Sequence, residues 1–145
     1  MNNKKIDNEL ANRLYENVRM ASFAIDCIIE KIENDQLAEL LRKQNKFYLD
    51  TVEKIENIAK KLNFDLKDVN FIAKGMSYMS IKTKTLMNND SPKLAEMLVQ
   101  GTTMGITDTI KAQSEYPTKN EELTLITQRI IKHEEEFVDS LKTFL

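Results

Sequence analysis

The sequence predicts an all-α protein, an up-down helical bundle. Three observations carry this. Apolar residues recur at steps of three and four along most of the chain. Glycine is scarce: Gly75, Gly101 and Gly105 are the only three in 145 residues, where average usage of ~7% gives roughly ten. The clear breaks are built from Asn, Asp, Ser and Pro, not from the glycine-rich turns of an all-β fold.

Five helices follow in order. The first runs from about Asp7 to Glu33, with Leu10, Leu14, Val18, Ala21, Ile25, Ile28 and Ile32 on one stripe. Asn34-Asp35 breaks it and caps the second. That helix reaches about Leu62 and carries Leu37, Leu41, Gln44, Tyr48, Thr51, Ile55 and Ile58. Asn63 suits its end, because Asn tolerates a left-handed backbone. The third carries Val69, Ile72, Met76, Met79, Thr83 and Leu86. Asn88-Asn89-Asp90-Ser91-Pro92 then punctuates the chain. Ser91 reads as a cap and Pro92 as the first helical residue, where no amide is needed. The fourth helix runs from Pro92 to about Ser114 and stops at Tyr116-Pro117. Thr118-x-x-Glu121 reads as a capping box for the fifth, whose stripe is Leu123, Ile126, Ile130, His133/Glu134, Phe137, Leu141 and Phe144.

Each helix is ~30–40 Å long at 1.5 Å per residue. Near-equal helices with short links suit one bundle domain over residues 1–145. Four of them would form the core. The third would then be either an additional wall or a crossover running the bundle's length.

The segment Gly75-Met-Ser-Tyr-Met-Ser-Ile-Lys, the Asp90-Ser91-Pro92 break and Leu94-Ala-Glu-Met-Leu-Val-Gln-Gly-Thr-Thr-Met-Gly carry a resemblance. Together they look like small bacterial ferritin-like bundles with a split third helix, largely families of unknown function. The resemblance implies a ferritin-like layout: hairpin, split middle, final helix. Some related bundles have carboxylates around the glycine that matches Gly101. Here the flanking residues are Val99, Gln100, Thr102 and Thr103.

Several function classes are excluded or weakened. A phosphate loop or dinucleotide fingerprint needs clustered glycines. One cysteine, Cys27, and one histidine, His133, cannot make a cysteine/histidine zinc site or an internal disulfide. The net charge is −2 and the lysines are scattered, so no nucleic-acid partner is expected. The longest charge-free run, Met97 to Thr107, is eleven residues, too short and polar to span a bilayer. A polar start and a lone cysteine point to the cytoplasm.

A di-iron site in this fold needs two Glu-x-x-His motifs. Here the only histidine has Ile130 three residues before it. No metal, cofactor or catalytic residue is therefore expected. A polar layer remains possible on the stripes and their edges: Asp26, Gln44, Asp108, His133 and Glu134. Gly101-x-x-x-Gly105 lies inside a helix, where each glycine costs ~1 kcal/mol against alanine. It reads as close helix packing, or a small cavity. The third predicted helix is apolar on more than one face, with Phe71, Tyr78 and Met79 as a candidate oligomer face. The expected function is that of a non-catalytic bundle acting through oligomerisation or partner binding, as a homodimer or higher homo-oligomer. A small-ligand-binding bundle and a carboxylate-bound metal or redox protein are the alternatives.

Overall fold

A computed structural model describes residues 2–67 and 90–145. These residues are all-helical, with no strand among them. The helices are α1 (Asn3–Ile28), α2 (Asp35–Leu62), α3 (Ser91–Glu115) and α4 (Glu121–Lys142). A single 3-10 turn, Ile29–Lys31, follows α1. The third predicted helix, with Gly75, Phe71, Tyr78 and Met79, lies outside the described residues.

The stripes face inward. Leu10, Leu14, Val18 and Ile25 of α1 meet Leu37, Leu41, Tyr48 and Ile55 of α2 in one buried cluster. Leu94, Leu98 and Ala112 of α3 and Leu123, Ile130, Phe137 and Leu141 of α4 complete it. Each fully buried Leu, Ile or Phe contributes ~1.5–3 kcal/mol.

The ends are set by side chains. The Asn34 carboxamide oxygen accepts from the Leu37 amide at 3.0 Å. Asn63 closes α2 with φ 57° and ψ 48°, in the left-handed region. Three starts differ from the sequence reading. Residue 90, not Ser91, precedes the first turn of α3, and the buried Ser91 hydroxyl has no hydrogen-bond partner among the described residues. Pro92 still sits in that first turn, where its missing amide is harmless. Asn120, not Thr118, caps α4, because its side chain reaches the Leu123 amide at 3.0 Å. The Thr118 hydroxyl instead accepts from the Asn120 amide and donates to Asp7. Helix α1 also begins at Asn3 rather than Asp7, because Asn2 accepts from the Lys5 amide.

Cross-helix contacts give the directions. Asn17 meets Thr109, Arg13 meets Glu115 and Asp7 meets Thr118, so α1 and α3 run antiparallel. Tyr48 meets Glu134 and Lys61 meets Glu122, so α2 and α4 are antiparallel too. Within the first hairpin, Ser22 meets Asn45 and Asn12 meets Asp65. The order around the bundle is α2, α1, α3, α4. The tightest packing is within the hairpins and between α1 and α3, while α2 and α4 touch sparingly.

Asn12 fixes the exit of α2. Its amide donates to the Asp65 carbonyl at 2.8 Å, and its oxygen accepts from the Lys67 amide at 2.6 Å. Residue 67 thus lies beside the N-terminal half of α1. Ser91 precedes Thr109 by eighteen residues, ~27 Å along the axis, towards the far end of α1. Residues 67 and 91 therefore lie towards opposite halves of the bundle.

Candidate functional site

Glu134 lies on the α4 stripe, one turn after Ile130, and is 0% exposed. One helix from each side reaches it. From α1, the Asn17 amide donates to Glu134 Oε1 at 2.9 Å and to the Thr109 hydroxyl at 3.0 Å. From α2, the Tyr48 hydroxyl donates to Glu134 Oε2 at 2.9 Å. From α3, the Thr109 hydroxyl donates back to the Gly105 carbonyl at 2.8 Å. Gln44, one turn before Tyr48, is 7% exposed and lies beside the Tyr48 hydroxyl.

Gly105 makes room for this layer. A Cβ there would lie 2.6 Å from Asn17 Oδ1 and 3.3 Å from Glu134 Oε2. The core face of α3 is accordingly small and polar at this level: Thr102, Gly105 and Thr109 are all buried. Gly101 behaves differently. It is exposed, and nothing among the described residues lies within 4 Å of a Cβ placed there. The glycine pair read as one close-packing motif is divided between a crowded inner site and an open outer one.

Burial pushes the Glu134 carboxyl up from 4.5 to about 7, against the donors Asn17 and Tyr48, which pull it down. Tyr48 is held well above its ordinary value, first by burial and then by the Glu134 charge, against the Gln44 side chain, which pulls it down.

The other members of the expected layer sit elsewhere. Asp26 is exposed on α1 and accepts from Asn45. Asp108 is exposed on α3. His133 is half-buried and stacks on Phe47, with ring centroids 3.9 Å apart and planes 12° from parallel. Of the five polar residues read from the sequence, Gln44 and Glu134 share the interior, while Asp26 and Asp108 face outward. Asn17, Tyr48 and Thr109 were not read as layer members. Tyr48 is visible in the sequence only as a stripe position.

These donors do not fit a carboxylate-bridged metal pair. Both Glu134 oxygens already accept hydrogen bonds, and the partners are an amide and a phenol. No three His, Cys, Asp or Glu side chains come together among the described residues.

A second feature opens where α2 and α4 part. A groove of about 330 Å³ lies between them. Ile58, Leu125 and Ile126 supply its apolar wall, and Leu125 is 58% exposed. Lys61 and Glu122 pair at 3.2 Å across one end. Lys54 and Arg129 line it from opposite helices. The register fixed by Lys61–Glu122 and Tyr48–Glu134 sets these two cations at one level. Neither has an ion-pair partner among the described residues.

Comparisons with protein-family models, with curated proteins and with solved structures give no match. No described helix is long and apolar enough to cross a membrane.

Proposed function

We propose that this chain is a non-catalytic, ferritin-like bundle that works by binding, and that the α2–α4 seam is its binding surface. One observation carries the reading: a groove lies open between two helices, lined by apolar side chains and by Lys54 and Arg129 from opposite helices. Cofactor and ligand sites in bundles lie between facing helices in this way. The ferritin-like arrangement is supported by the two antiparallel hairpins, α1–α2 and α3–α4, packed side by side through α1 and α3.

A thermal-shift screen of soluble amphiphiles and short amphipathic peptides tests the seam. At least one class should raise the melting temperature, and Leu125→Arg should abolish that shift while the variant stays folded by circular dichroism. Binders whose NMR shift changes map away from residues 54–61 and 122–129, or a screen with no binder, would remove the seam from consideration.

Self-association is a second part of the proposal. It is supported by the outer face of α3, where Met104 is 67% and Ile110 45% exposed. Light scattering at micromolar concentration should give a dimer mass or higher, and Met104→Lys should lower it. A monomer mass for the unaltered chain contradicts this part. The cytoplasm is the compartment we propose, from the lone cysteine.

A further inference from the structure

We propose that the α2–α4 seam binds an amphiphilic monocarboxylate, with its carboxylate between Lys54 and Arg129 and its acyl chain along Ile58, Ile126 and Leu125. The inference rests on the seam being the binding surface and adds the chemistry of its ligand.

Charge is the first argument. Lys54 and Arg129 line the groove from facing helices with no ion-pair partner among the described residues, so both charges are available to one anion seated between them. The Arg129 guanidinium matches a carboxylate with two parallel donors, while Lys54 supplies a compact charge. Glu122 does not fill this role, because it pairs with Lys61 at the end of the groove.

Shape is the second argument. Lys54 and Lys61 are seven residues apart, about 10 Å along α2. That is too short for a protein helix to bury the ~1,000 Å² a specific interface needs. It suits a medium-length acyl chain lying on the isoleucines. The Lys61–Glu122 pair marks where an apolar tail should stop.

The test is calorimetry on the full chain with hexanoate, octanoate, decanoate and decanol, each below its aggregation concentration. A short acidic peptide of Leu and Glu residues is titrated in parallel. Decanoate should bind one to one. Each added methylene should tighten binding about two- to fourfold. Lys54→Gln with Arg129→Gln should weaken decanoate about tenfold at an unchanged melting temperature. Lys111→Gln, on the exposed face of α3, should leave it unchanged. Decanol binding as tightly as decanoate, or a double variant with full affinity, would overturn the carboxylate clamp and leave the seam reading standing. Peptide binding at the seam without decanoate binding would overturn the amphiphile in favour of a protein partner. If neither binds, this inference falls; the seam reading is judged by the wider screen.

Discussion

Replacing Glu134 by glutamine should raise the unfolding free energy by ~2–3 kcal/mol at pH 8 and change it little at pH 4.5. The folded-state pKa of about 7 lies above the ordinary 4.5. The native protein therefore holds a proton that the unfolded chain has released between those values. The stabilisation is fully present below pH 4.5. It fades as pH rises towards 7 and is gone above it. At ~1.4 kcal/mol per pH unit the total is roughly 3 kcal/mol. Glutamine keeps the shape, still accepts from Asn17, and carries no charge. Urea unfolding at several pH values reads the result. Parallel pH profiles for the two proteins would mean that Glu134 is not buried as described.

The two helical glycines should respond to alanine with opposite signs. Gly101→Ala should stabilise the protein by ~0.5–1 kcal/mol, the ordinary gain in an exposed helix. Gly105→Ala should destabilise it by ~1–3 kcal/mol despite the same gain. Its Cβ would enter the space of Asn17 Oδ1 at 2.6 Å. Asn17 would have to move, and its bonds to Glu134 and Thr109 would break. Overpacking costs ~1–3 kcal/mol, and an unsatisfied buried acceptor costs a similar amount. Chemical denaturation of the two single variants measures both effects. Changes of the same sign would show that Gly105 is not needed for the layer.

The helices of the described residues were readable because their stripes are long and regular. Leu37, Leu41, Tyr48 and Ile55 mark the inner face of α2 from sequence spacing alone. The starts of α3 and α4 were less readable. Asp90 and Ser91, and Thr118 and Asn120, compete for neighbouring cap positions, and local spacing does not choose between them. The polar layer was half readable. Gln44 interrupts an apolar stripe, and His133/Glu134 interrupt another. Asp26 and Asp108 lie near stripe edges, where a small rotation of the helix decides between core and solvent. Asn17 leaves no periodic signal. It joins the layer only because α1 and α3 pack closely at Gly105, a contact between residues far apart in sequence. The seam was not readable at all, because it depends on where two helices diverge.

The alternation of direction around the bundle has a consequence for its long-range field. Every neighbouring pair of the four described helices is antiparallel, so two of their N-termini and two of their C-termini meet at each end. Their macrodipoles, each equivalent to about half a charge at either terminus, largely offset one another. Among the described residues, neither end then presents the concentrated positive pole that would draw an anion to the axis. Attraction for a negatively charged ligand is left to individual side chains along the bundle's flank, where Lys54 and Arg129 stand.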